Sequence, residues 1–335
     1  MRQQWHIYKP PFYGSIDIRN AGFKVAPVDT NLFPAGFNNI NKEFTPLCIQ
    51  AIQSALDKSC PDAVRVLILP ENHTRNKAYL ESIATLQDLL NQSGYFTKIG
   101  TLIPEINTPT QLDLESGKSI ELIPLRREGN RLLAEDFDPC VVLLNNDLSE
   151  GVPDILKGLT QVVTPPPDLG WSKRLKSDHF EFYRVLAREF SKIIDIDPWF
   201  FDPLFMNCQE ISFMDKQGGE CLAEKTEKLL LDIQRKYDEY EIDSTPYVVI
   251  KADAGTYGMG VMIARSADDV IDLNRKQRTR MASSKGGQVI NKVILQEGVP
   301  TYETWDGAVA EPVVYLMDRY VVGGFYRVHT KKGAE

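Results

Sequence analysis

A chain of 335 residues, 43% apolar and 25% charged, has the balance of an ordinary globular protein with room for two or three lobes. Its 38 basic and 46 acidic residues leave a formal charge of −8, which argues against nucleic acid or an anionic membrane as the main partner but not against phosphate ligands. No apolar run reaches the ~18 residues of a membrane span. The opening Met1-Arg2-Gln3-Gln4-Trp5-His6 is unlike a signal peptide, so a cytoplasmic location is expected. The five cysteines (Cys48, Cys60, Cys140, Cys208, Cys221) and four histidines form no C-x-x-C or H-E-x-x-H pair. The cysteines read as small core residues of a reducing compartment, and no protein-held zinc is expected.

Strands and helices alternate through the first half. Residues 64–69 read as a strand stopped by Pro70. Over 77–91 the apolar positions Tyr79, Leu80, Ile83, Leu86, Leu89 and Leu90 recur at helical spacing, and Gly94 is placed to close that helix. Further strands are expected at 95–99 and 140–144, and the order predicts a parallel α/β sheet. Thr164-Pro165-Pro166-Pro167-Asp168 suits neither a helix nor a central strand and marks a domain boundary. Beyond it, 177–194 reads as a helix with Phe180, Tyr183, Leu186, Ala187 and Phe190 on one side. A second helix over 220–240 is rich in Lys and Glu, with one solvated face. From Pro246 short strands joined by glycines are expected, with 268–287 a mobile connection. Phe12-Tyr13 and Trp199-Phe200-Phe201 read as core.

The most informative stretch is 247–263: an apolar strand ending in Lys251, a loop holding Gly255, Gly258 and Gly260, then a second strand. Glycines let backbone N–H groups approach an anion, and a lysine beside them supplies a compact positive charge for phosphate oxygens. A Walker A loop is excluded because Lys251 precedes the glycines. A dinucleotide fingerprint is excluded because Val261-Met262-Ile263 continues as a strand and not a helix. The unit is a hairpin, either a lid over a nucleotide or an exposed turn without a ligand.

This segment resembles the ATP-grasp motif of glutathione synthetase and related ligases. In the same chain order, 172–179 resembles the place where that fold supplies its first ATP lysine, here Lys176. Residues 293–299 resemble its hinge strand, whose backbone at Gln296, Glu297 and Val299 would meet the adenine. Glu311 would then be a ribose partner, and Arg327 a phosphate or acyl-phosphate contact acting with Lys251. More narrowly, 15–24, 28–39, 251–262 and 323–329 are similar to signature blocks of a bacterial family of glutamate–cysteine ligases.

The resemblance implies a parallel-sheet N-terminal α/β domain (1–164), a helical first lobe (165–245) and an ATP-grasp lobe with a glycine-rich lid (246–335). It implies ATP, Mg2+, glutamate and cysteine as small-molecule partners. ATP would phosphorylate the glutamate side-chain carboxylate, and the cysteine amine would displace phosphate. Charge neutralisation and positioning are what phosphoryl transfer needs most, and a closing hairpin would exclude water. Arg19 would grip a carboxylate bidentately. Asp29, Asn31, Asn38 and Asn39 would hold amino-acid groups, although the same residue types also spell an ordinary loop. In ATP-grasp enzymes the magnesium ligands follow the strand ending near Arg327, and this sequence stops at Glu335, so no metal ligand is named. Two other readings stay open: an ATP-grasp ligase of other amino acids or peptides, and a non-catalytic nucleotide-binding regulator. Oligomeric state is open too, a homo-oligomer included.

Overall fold

The computed structural model describes residues 2–255, 260–282 and 289–329. Helix α1 (Arg2–Ile7) precedes strands β1 (Tyr13–Asn20) and β2 (Val25–Asn31). There follow α2 (Thr45–Ser59), β3 (Arg65–Pro70), α3 (Lys77–Gln92), β4 (Phe96–Thr101), β5 (Thr110–Asp113), β6 (Ser119–Glu128), β7 (Arg131–Ala134), β8 (Val141–Asn145) and β9 (Val162–Thr164). Helix α4 (Lys176–Ile194), β10 (Phe205–Gln209), α5 (Gly219–Glu239), β11 (Val248–Ala252) and β12 (Val261–Ala264) come next. The described chain ends through α6 (Asp268–Ile271), α7 (Arg275–Ala282), β13 (Lys292–Glu297), β14 (Thr304–Trp305), β15 (Ala308–Met317) and β16 (Tyr320–His329).

Two compact units result. The first comprises Met1–Ile16, Thr30–Gly170 and Val313–Tyr326, the second Asp17–Asp29, Trp171–Pro312 and Arg327–Glu335. Four of the chain's crossings between them fall inside β1, β2, β15 and β16. These strands and β14 form a sheet ordered β14-β15-β1-β2, with β16 on β15.

The first unit is built on a sheet ordered β5-β6-β4-β3-β8-β9, with β7 on β6. Strand β3 pairs in parallel with both β4 and β8, as the alternating pattern predicts. Both of its faces are covered, hence its unbroken apolar run. Val66 and Ile68 face the helices through Ile52, Leu56, Ile83 and Leu86, while Leu67 and Leu69 pack with Val142, Leu144 and Leu156. Pro70 does not stop the strand short. It is the last strand residue, opposite Asn145. Gly94 sits just past α3 with φ 96°, the left-handed turn that favours glycine.

The second unit holds an antiparallel sheet ordered β10-β13-β11-β12. The strand–glycine–strand segment is indeed a hairpin, with Lys251 opposite Val261. Period-two alternation separates the faces of this sheet. One face carries Cys208, Val248, Ile250, Val293 and Leu295 against Leu222, Leu229 and Ile233 of α5. Phe205 and Ile294 on the other face pack against Phe180 of α4.

One expectation needs correction. The buried stripe of α4 runs through Phe180, Ala187 and Ser191, so Leu186, one position off it, is 44% exposed. Within 268–287, residues 268–271 and 275–282 form α6 and α7, and residues 283–287 lie outside the described residues. No helix among the described residues is long and apolar enough to cross a membrane. Phe12, Tyr13 and Trp199 are core, as read, with Phe200 packed against it, while Phe201 is half-buried outside these clusters.

Candidate functional site

The second unit holds two buried lysines, one beside Asp29 and the other beside the carbonyl of its neighbour Val28. Lys251 leaves β11 on the α4 face. Its ammonium donates to the Val28 carbonyl and to Gln296 Oε1 at 2.9 Å, and lies 5.9 Å from the centre of the Phe180 ring. Lys176, the first residue of α4, donates to both oxygens of Asp29 at 2.8 and 2.9 Å and sits over the Trp171 ring at 4.1 Å. Burial, with help from the Lys176 charge and against Asp29, pushes the Lys251 ammonium down to about 8.

More positive charge surrounds the pair. The Arg174 guanidinium lies 4.8 Å from the Trp171 ring centre, and burial brings it down to about 10 against the pull of Asp29. Burial first, then the positive charge of Arg174, holds His179 down to about 4, so its imidazole is neutral near pH 7.

Asp253 positions this cluster. Its carboxylate accepts from the Ser177 amide at 2.8 Å and from the Ser177 hydroxyl at 2.7 Å, and its carbonyl accepts from the Lys176 amide at 2.7 Å. The N-terminal N–H groups of α4, which Leu175 cannot cap through its side chain, are thereby satisfied from β11's end. Sequence reading passes over Asp253 because the cap comes from a residue 76 positions away. Arg174, His179 and Trp171 are missed because their importance lies only in proximity.

The remaining predicted residues divide. Gln296 belongs to the cluster through its side chain, and its buried Nε2 has no hydrogen-bond partner among the described residues. Glu297, its neighbour, points to the opposite face. There it accepts from Lys24 at 2.7 Å, Trp199 Nε1 at 3.0 Å and the Leu204 amide at 2.9 Å. Its own amide donates to the Leu204 carbonyl. Both residues lie inside the sheet between β10 and β11, and both side chains are buried. Val299 is buried two residues past β13.

Arg19 and Arg327 are both clamped by carboxylates. Arg19 pairs with Glu311 at 2.7 Å, and Arg327 pairs with Asp17 at 2.9 Å and approaches Glu311 at 3.9 Å. Gly255 and Gly260 have φ of 97° and 62°. At Gly260 the left-handed backbone itself favours glycine, and a Cβ there would also meet Ile290 Cδ1 at 2.5 Å. Gly258 lies outside the described residues. Asn31, Asn38 and Asn39 belong to the first unit. Asn31 spends its side-chain oxygen on the Phe33 amide at 2.9 Å, and Asn38 and Asn39 are exposed.

The donor set suits a polyanion. Two buried ammonium groups, one driven toward neutrality by burial, and an unpartnered buried amide are groups that a polyphosphate and its base would satisfy. Among the described residues no group of three His, Cys, Asp or Glu side chains could hold a metal ion.

The whole chain, residues 1–335, matches the glutamate-cysteine ligase (GshA) family. A solved protein of Methylobacillus flagellatus KT, provisionally assigned as a gamma-glutamylcysteine synthetase, is 56% identical with a TM-score of 0.93, over 99% of this chain and 78% of that one. D-alanyl-alanine synthetase A of Vibrio cholerae O1 biovar eltor str. N16961 is 10% identical (TM-score 0.37), covering 76% of this chain and 68% of that one. A glutathione synthetase-like effector of Globodera pallida is 11% identical (TM-score 0.43), covering 93% and 64%. Likenesses that weak bear on neither fold nor function. No curated protein matches the chain. Full-length agreement with the family and the 56%-identical relative settle the assignment: the chain belongs to the glutamate-cysteine ligases, ATP-dependent enzymes joining an amino-acid carboxylate to an amine.

Proposed function

We propose that the second unit is the nucleotide-holding part of an ATP-grasp module, and that Lys176 and Lys251 bind ATP phosphates there. The observation that carries this reading is a pair of buried lysines, Lys176 paired with Asp29 and Lys251 held by the Val28 carbonyl and Gln296, with the Lys251 ammonium pushed down to about 8. Burial disfavours an ammonium that lacks a directly paired anion, and a polyphosphate would supply that negative charge.

In this reading the segments 1–164, 165–245 and 246–335 act as substrate domain, helical lobe and lidded lobe. ATP supplies the phosphoryl group that converts the glutamate side-chain carboxylate into an acyl phosphate. Lys176 and Lys251 hold the spread negative charge of the transferring group, work that calls for fixed charges more than covalent help. Gln296 offers its unpartnered amide to the nucleotide, and Glu297 and Val299 frame the adenine at the end of β13. The hairpin glycines Gly255, Gly258 and Gly260 serve as the lid over the phosphates.

Arg327 is the proposed acyl-phosphate contact, and Glu311 the ribose partner. Both, with Arg19, are pre-organised by their mutual ion pairs and would exchange partners on binding. Arg19 and Asp29 are proposed for the amino-acid substrates, with Asn31, Asn38 and Asn39 as separate candidates. The cysteine amine then displaces phosphate, giving gamma-glutamylcysteine. Magnesium would accompany ATP; no side chain is assigned to it and no step is derived through it. A cytoplasmic location follows from the substrates.

The test is phosphate release from Mg-ATP with glutamate and cysteine together and each omitted in turn. Release that requires both, with a γ-linked dipeptide as product, supports the reading. Release without either amino acid, or with a different acid–amine pair only, overturns it.

A further inference from the structure

Cys208 and Cys221 place their sulfurs 3.6 Å apart. Cys208 is buried on β10, whereas Cys221 is exposed in the first turn of α5. The connection between them is fixed at several points. The Ser212 and Gln217 amides each donate to the other's carbonyl, at 3.1 and 3.0 Å, and the Ile211 amide donates to the Asn291 carbonyl at 3.0 Å. Gly218 turns the chain into α5 with φ 75°, where a Cβ would meet Ile211 Cδ1 at 2.5 Å. A pinned turn therefore sets the approach of the two thiols, and joining them requires closing a gap of about 1.5 Å to the usual S–S length.

We propose that Cys208 and Cys221 form a redox-active dithiol that is oxidised to a disulfide by exchange with a low-molecular-weight disulfide. Cys221, as thiolate, attacks one sulfur of the small disulfide, forming a mixed disulfide and releasing one small thiolate. Cys208 then attacks Cys221 Sγ, forming the internal bond and releasing the second small thiolate, while its own proton passes to solvent. Two protein thiols are oxidised and one small disulfide is reduced to two thiols. Burial holds the Cys208 thiol up to about 12, which assigns the opening attack to exposed Cys221. The bond lies on the α5 face of β10, away from the face that carries Lys251 and Gln296. Choosing cystine as the oxidant rests on the ligase reading, because cystine is the disulfide of the acceptor amino acid. The exchange needs no turnover, so its failure and that of the ligase reading are separable.

The test treats the folded, reduced full chain with cystine, removes the cystine, unfolds the chain into excess iodoacetamide to block remaining thiols, and maps peptides without reduction. The expected product links Cys208 to Cys221 while Cys48, Cys60 and Cys140 carry the alkyl group. In Cys208→Ala the exposed Cys221 should hold cysteine as a lasting mixed disulfide, and Cys221→Ala should show neither product. A wild-type chain that stops at the mixed disulfide, or forms the link only after unfolding in guanidinium, overturns the proposal. Because that comparison uses the unmodified protein, a variant that fails to fold does not obscure it.

Discussion

The carboxylate of Asp253 grips both the amide and the hydroxyl of Ser177, at 2.8 and 2.7 Å. Through this clasp the strand that carries Lys251 holds the helix that begins with Lys176. Asp253→Ala is expected to cost about 1–2 kcal/mol of stability, the worth of a helix cap, and to weaken ATP binding because Lys176 loses its anchor. Asp253→Asn, which keeps one acceptor, should retain most of both. Calorimetric ATP titration of the two variants is the check; equal affinity in all three proteins would rule out the positioning role.

Lys251→Met should lower ATP affinity roughly 10- to 100-fold with the fold intact, the scale of hydrogen bonds to a charged group. The pH dependence has a definite sign. Without ligand, Lys251 loses its proton near 8, well below its ordinary 10.5. Nearby phosphates favour the ammonium and raise that value, so ATP binding at pH 8.5 should take up protons. Titrations in two buffers of different ionisation enthalpy measure the uptake, and Lys251→Met should abolish most of it.

His179 titrates at about 4 instead of 6.5. As pH falls through 6.5 the unfolded chain takes a proton that the folded chain refuses until about 4. Stability is therefore lost across that window and levels off below it. His179→Gln should flatten this part of the acid limb by on the order of 1–3 kcal/mol. Urea melts at a series of pH values test this, and an unchanged slope would contradict it.

Glu297 and Lys24 form an ion pair whose side chains are 1% and 0% exposed. Glu297→Gln leaves the ammonium buried without its counter-charge and should destabilise the protein by roughly 3–5 kcal/mol. Replacing both residues with apolar ones should cost less than Glu297→Gln alone. Denaturant midpoints of the three variants decide the matter.

Much of the fold was legible in the sequence because its signals are local. The run 64–69 and the spacing from Tyr79 to Leu90 placed β3 and α3, and glycines after Lys251 announced the hairpin. Lys176 and Lys251, named separately from motif order, do meet around Asp29 and its neighbours. Legibility failed where meaning is set across distance. Gln296 and Glu297 looked like one motif, yet consecutive strand residues point to opposite faces, one to the lysines and one to a buried ion pair. Arg19 and Arg327 were named for ligands, and the partners they have here, Glu311 and Asp17, are far away in sequence and could not be named from it. Asp253 was invisible for the same reason.

The unpartnered Gln296 amide and the confined lysines also bear on the protein's life in a cell. Any ligand that binds only the folded form deepens its stability by mass action. If ATP binds at this site, the chain would persist longest where ATP is plentiful and be cleared fastest by proteases where it is scarce. Turnover of the polypeptide itself would then follow the energy supply on which its reaction draws.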